Sequence, residues 1–126
     1  MKARYLLDTH ILLWLNSGIR RIPKAVIRQI DEADQVYSSA ASAWELSIKQ
    51  SLGKIALAAP LSRFVREAGM LELPVTMQHA EAAAALPLHH RDPFDRMLVA
   101  QAMIEDLLLI TADHRIAEYA IRSLVI

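Results

Sequence analysis

Arg4-Tyr5-Leu6-Leu7-Asp8 is a short apolar run that ends in an acid, and Leu107-Leu108-Leu109-Ile110-Thr111 is a second apolar run with Asp113 two residues beyond it. Short aliphatic runs of this kind suit buried strands better than helices. Between and around them the pattern changes to helical spacing. His10–Asn16 reads as a short helix, and Pro23–Ala33 as a second, with Pro23 suited to its first turn. Val36–Ser39 is β-rich and enters a helix running from about Ala41 to Leu52, stopped by Gly53. Leu61–Glu67 is helical and closes at Gly69; Met70–Val75 is a short apolar strand. Met77–Leu86 is an alanine-rich helix, Pro93–Glu105 a strong one, and Asp113–Ala120 a last short one before a final strand at Ser123–Ile126. Strands alternating with helices predict an α/β fold with a parallel sheet covered on both faces. In such sheets ligands bind beyond the carboxyl ends of the strands.

The bulk properties restrict the function classes. A chain of 126 residues suits one domain over residues 1–126, and 54% hydrophobic residues suffice for a core. With 6% aromatic residues, that core is aliphatic. There is no cysteine, which excludes disulfides, thiolate zinc sites and cysteine nucleophiles and fits a reducing compartment. No apolar run approaches the roughly 20 residues needed to span a bilayer, and no signal-peptide pattern develops before Asp8. A cytoplasmic protein without membrane association is expected. Lys plus Arg equals Asp plus Glu at 14 each, so no global basic footprint announces nucleic acid. Three glycines allow neither a dinucleotide fingerprint nor a P-loop, and there is no nucleophile elbow or HExxH zinc spacing.

The acids carry the chemistry. Asp8 and Asp113 fall on the same rim of a parallel sheet. Glu45 lies in the helix leaving Val36–Ser39, and Asp95 in the first turn of the helix beginning near Pro93. If those helices start on that rim, four carboxylates from distant parts of the chain converge. Two carboxylates about 4 Å apart repel by roughly 1 kcal/mol in water and about 4 kcal/mol at an effective dielectric near 20. Either some stay protonated or a cation compensates them. Oxygen ligands without thiol or histidine suit Mg²⁺ or Mn²⁺, which position and activate water for phosphodiester displacement.

Each acid also has an ordinary structural role open to it. Asp92-Pro93-Phe94-Asp95 is a good helix start, with Asp92 as cap and Asp95 complementing the dipole. Ser42-Ala43-Trp44-Glu45 matches a capping box, and Asp113 could cap the helix after it. Thr9, Ser39 and Thr111 could orient the acids through their hydroxyls, or serve only in turns and caps. Trp14 and Trp44 sit in apolar helical stretches and are expected in the core. Lys49, Lys54, Arg91 and Arg96 could meet phosphates but are expected as solvated surface charges. His89 and His90 are expected on a loop surface.

Four segments in order resemble the PIN-domain ribonucleases, and among them the VapC-like toxins of type II toxin–antitoxin pairs. They are Leu6-Leu7-Asp8-Thr9-His10 with Leu12-Leu13-Trp14, Ser39 with Trp44-Glu45, Ile48-Lys49 and Gly53-Lys54, Arg91 to Arg96 running on to Ala100-Gln101-Ala102, and Thr111-Ala112-Asp113 with Ile116 and Tyr119. The resemblance implies a three-layer PIN-like fold, a central parallel sheet flanked by helices, with an acidic Mg²⁺-binding pocket. By position, Asp8 and Asp95 match the metal-binding aspartates, and Glu45 and Asp113 the other acids of the pocket. Thr9 and Thr111 match supporting polar positions. His10 stands where many relatives have asparagine, which suggests a subgroup. The resemblance further implies an endoribonuclease that forms a homodimer and is inhibited by a cognate antitoxin.

The expected function is therefore cleavage of RNA by metal-activated water, with Asp8 and Asp95 holding Mg²⁺ (or Mn²⁺) and Glu45 and Asp113 completing the site. Three rivals remain. A phosphoacceptor or phosphatase-like domain also places acids at strand ends, but usually needs a late lysine, and none lies near Thr111–Asp113. A non-catalytic protein-binding module would use the acids only as caps. A metal-free ribonuclease would use His89 or His90.

Overall fold

The computed structural model describes residues 2–18 and 21–126. Its strands are β1 (Arg4–Leu7), β2 (Gln35–Ser39), β3 (Leu71–Leu73), β4 (Leu108–Thr111) and β5 (Ser123–Val125). Its α-helices are α1 (Thr9–Ser17), α2 (Lys24–Asp31), α3 (Ala40–Ser51), α4 (Leu61–Glu67), α5 (Met77–Ala85) and α6 (Pro93–Glu105). The strands form one all-parallel sheet in the order β3-β2-β1-β4-β5, as the alternation of strands and helices predicts.

The apolar runs become strands because both faces of the sheet are covered. Leu6 and Leu109 pair in register, as do Leu7 and Ile110. Side chains alternate across a strand, so Leu6 and Leu109 enter one core with Leu98, Val99 and Ala102 of α6, while Leu7 and Ile110 enter the other with Ile11, Leu12, Val26 and Leu46 of α1, α2 and α3. Helix α5 packs on α6. This is the three-layer α/β arrangement expected of the sequence. No helix is long and apolar enough to cross a membrane among the described residues.

The order of the strands locates the crevice. From β1 the chain steps outward to β2 and β3, then returns past β1 to place β4 and β5 on its other side. The direction of winding reverses between β1 and β4, where a doubly wound sheet opens a cleft beyond its carboxyl edge. Asp8 stands at that edge, its N–H donating to the Ile110 carbonyl at 2.9 Å.

Several local expectations need correction. The segment after Asp113 is a 3₁₀ helix over His114–Glu118, not an α-helix to Ala120. Strand β3 is confined to Leu71–Leu73, because only those residues pair with β2. Helix α3 follows β2 without a loop, so Ser39 is its cap: the Ser39 Oγ accepts from the Ala41 N–H at 3.0 Å. Ser42 is therefore interior to the helix and forms no capping box with Glu45. Helix α6 starts as its sequence indicates, with Asp92 Oδ1 accepting from the Phe94 N–H at 2.8 Å and Pro93 in the first turn.

Candidate active site

Three elements meet at the carboxyl edge of β1 and β4. Asp8 occupies the N-cap position of α1, yet its side chain makes no capping bond. It instead accepts a hydrogen bond on Oδ2 from the Thr111 hydroxyl of β4 at 2.5 Å, and its Oδ1 is buried without a partner. Glu45, in α3, is buried; Oε2 pairs with Lys49 one turn on at 3.1 Å, and Oε1 has no partner. Asp95, in the first turn of α6, and Asp113, just past β4, reach the same place from the other face. His90 Nε2 lies 3.1 Å from Asp95 Oδ2 and 2.7 Å from Asp113 Oδ2.

The charges of these groups act on one another. Asp95 is pushed up to about 8, first by burial and then by the negative charges of Asp8, Asp92, Glu45 and Asp113. Asp8 is also raised, mainly by burial, which outweighs the Thr111 bond, the charge of His10 and the Thr9 amide. Burial works against Asp113 too. There, however, bonds from the Arg115 side chain and amide and from His90 prevail, and the carboxyl stays well below the ordinary range. Of the four acids named from the sequence, Asp8, Glu45 and Asp113 are thus all near enough for their charges to raise Asp95.

The neighbouring positions divide. Thr111 supports an acid directly. The Thr9 hydroxyl does not: it is 2.8 Å from the Ser42 hydroxyl and links α1 to α3. Ser39 serves its helix cap. His90, expected on a loop surface, is 4% exposed and lies among the acids. His89 points away, within 3.6 Å of Glu118 and edge-on to Tyr119. Arg96, expected as a surface charge, is buried and donates to the carbonyls of Ala83, Ala84, Leu86, Pro87 and His90. It satisfies the orphaned carbonyls at the end of α5 and anchors the loop that delivers His90. Trp14 packs against the core as expected. Trp44 does not: it is 66% exposed and meets Phe94 edge-on at 5.3 Å, because α3 turns Ala41, Ser42, Glu45 and Leu46 inward.

Buried oxygen atoms that lack any hydrogen-bond partner are costly unless something else compensates them. Asp8 Oδ1 and Glu45 Oε1 are two such atoms, on acids near enough for the charge of Glu45 to act on Asp8. Carboxylate oxygens buried beside one another, with Asp8 and Asp95 raised first by burial, fit a divalent cation.

Comparison with known proteins agrees with this geometry. The PIN domain profile matches residues 5–122. The chain belongs to the PIN domain family. A curated relative, Ribonuclease VapC22 of Mycobacterium tuberculosis, is 29% identical over 117 residues, which cover 90% of each protein. Among solved structures, a toxin–antitoxin complex from Klebsiella pneumoniae aligns with a TM-score of 0.68 at 20% identity, covering 96% of each chain. VapBC-5 from Mycobacterium tuberculosis aligns with a TM-score of 0.63 at 24% identity, covering 98% of each. At these identities the structural likenesses bear on the fold alone, and they match the PIN architecture of a parallel sheet between helical layers.

Proposed function

We propose that this PIN domain protein is a Mg²⁺-dependent endoribonuclease, the toxin of a type II toxin–antitoxin pair, acting as a single domain and as a homodimer in the cytoplasm. The observation that carries the reading is the pair of buried, unpartnered oxygens, Asp8 Oδ1 and Glu45 Oε1, beside Asp95. Asp8 and Asp95 would hold the cation, with Glu45 beside them and Asp113 completing the pocket. A bound Mg²⁺ or Mn²⁺ would supply an activated water and offset charge on the scissile phosphate.

The rest of the task falls to the chain itself. Thr111 fixes the Asp8 carboxylate through Oδ2, which leaves Oδ1 for the cation. Lys49 does the same for Glu45, holding Oε2 and freeing Oε1. Without a cation Asp95 keeps a proton near neutral pH, so proton and metal compete for one group. Arg115, exposed at the rim, puts positive charge where an RNA backbone would pass on its way to the acids. The family resemblance, and the solution of similar structures as toxin–antitoxin complexes, support an antitoxin partner.

A digest of total RNA tests the proposal. Cleavage is expected with Mg²⁺, and none with a chelator or with Asp95→Asn. Cleavage that persists in chelator would overturn it in favour of metal-free chemistry.

A further inference from the structure

The ring of His90 is polarised by its surroundings. Its Nδ1 lies 3.1 Å from the Asp92 backbone nitrogen, which can only donate. Nδ1 must therefore present its lone pair, and the ring proton sits on Nε2. That Nε2–H donates to Asp113 Oδ2 at 2.7 Å, and Asp95 Oδ2 lies 3.1 Å from the same nitrogen. To ligate a metal through Nε2, the ring would have to move its proton to Nδ1, directly against the Asp92 N–H. Geometrically the trio His90, Asp95 and Asp113 has the spacing of a metal site; the tautomer argues against the imidazole as a ligand.

The loop holding this ring is built to keep it there. The His90 N–H donates to the Tyr119 hydroxyl at 3.0 Å, and that hydroxyl donates to the Pro87 carbonyl at 2.8 Å. Arg96 donates to the carbonyls of both Pro87 and His90. Asp113 is correspondingly saturated. Its Oδ1 accepts from the Arg115 amide (2.9 Å) and Nε (3.2 Å), and its Oδ2 from Arg115 Nη2 (3.0 Å) and His90. A carboxylate offers about four lone-pair sites, so little of Asp113 remains for a cation. Asp8 and Glu45 each keep a buried oxygen free.

We propose that His90 is a positioning residue: an Nε2–H donor, locked by the Asp92 amide, that holds the Asp113 carboxylate in place beside Asp95 and leaves cation binding to the acids. The proposal rests on the nuclease reading for its effect on cleavage, but not for its effect on the ring. Outer groups that orient metal-site carboxylates typically change metal affinity or activity by about 10–100-fold when removed.

Two measurements test it on the full chain. Long-range proton–nitrogen NMR of labelled histidine should show His90 Nδ1 as the unprotonated nitrogen, before and after adding Mg²⁺. Pulsed EPR with Mn²⁺ should show no directly bound imidazole nitrogen. An unprotonated Nε2, or a nitrogen coupling that His90→Gln abolishes, would overturn the proposal whether or not the protein cleaves RNA. His90→Gln keeps a donor near the Nε2 position, whereas the shorter His90→Asn does not reach Asp113. The Gln variant should stay within about threefold of wild type in cleavage and Mg²⁺ affinity, and the Asn variant should lose about 10–100-fold. Equal losses in the two variants would refute the donor role. Should the Asn variant fail to fold, the wild-type spectra still decide where the proton lies. Failure of the wild type to cleave RNA would sink the nuclease reading and leave the spectra to judge His90.

Discussion

Replacing Asp95 with Asn should make the metal-free protein more stable at alkaline pH while destroying its activity. Asp95 is held at about 8 against an ordinary 3.8, so the folded state binds its proton more tightly than the unfolded state does. Between those values the unfolded chain releases the proton and the native site does not. Stability therefore falls as pH rises from about 4 to about 8, and is level above that. At about 1.4 kcal/mol per pH unit the full displacement would be near 6 kcal/mol, but the side chain is partly solvated and its neighbours titrate with it, so about 2–3 kcal/mol is the reasonable magnitude. The substitution also removes a favourable charge from the first turn of α6, which costs only about 0.3–1 kcal/mol. Relief of the burial penalty and of the repulsion wins. Urea unfolding in chelator from pH 5 to 9 should show the wild-type midpoint declining with pH and the Asn variant, which retains the raised Asp8, declining less steeply, the two diverging most above pH 8. Adding Mg²⁺ should then stabilise the wild type selectively, because the ligand binds only the folded site. A variant less stable than wild type at pH 8.5, or one with an unchanged pH slope, would refute the claim that burial and the neighbouring acids hold the proton on Asp95.

Other perturbations probe the supporting residues. Thr111→Val leaves Asp8 Oδ2 without its buried donor and should cost about 1–3 kcal/mol by denaturation, with Thr111→Ser restoring most of it. Trp44→Ala should cost less than about 1 kcal/mol, against the 3–5 kcal/mol of a core tryptophan; a large loss would show that the side chain is covered. Arg115→Ala should let the Asp113 carboxyl titrate closer to the ordinary range, seen by carbon NMR of that side chain, because two of its charged donors are removed. Arg96→Met strips donors from several buried carbonyls and should destabilise by about 3 kcal/mol or more, with hydrogen exchange rising first over residues 86–92.

What the sequence revealed depended on how locally each feature is determined. The runs at Arg4–Asp8 and Leu107–Thr111 announce buried strands because both faces of the sheet are covered, and Asp92-Pro93 announces a helix start because cap and ring act within one turn. Once the strands are placed, the rule for the carboxyl edge brings Asp8 and Asp113 together, and the helix starts bring Glu45 and Asp95 to the same cleft. His90 escaped because its burial is set elsewhere. The loop from Leu86 to Asp92 is tied down by Arg96 on the next helix and by Tyr119 after β4. A buried arginine that caps another helix has no local signature, and Arg96 looks the same in sequence as a solvated one. Trp44 misled for the opposite reason: its apolar neighbours Ala43 and Leu46 suggest a core stripe, but Glu45 takes the inward position that the site requires. Ser42 matched a capping box that the direct passage from β2 into α3 leaves no room for.

Nuclease activity here needs a cation held by the acids beyond β1 and β4. Anomalous diffraction from a crystal soaked in Mn²⁺ would locate it. A peak within coordination distance of Asp8 Oδ1, with Glu45 and Asp95 around it and no bond from His90, is the predicted result. A crystal that binds Mn²⁺ only elsewhere, or through the His90 imidazole, would contradict it.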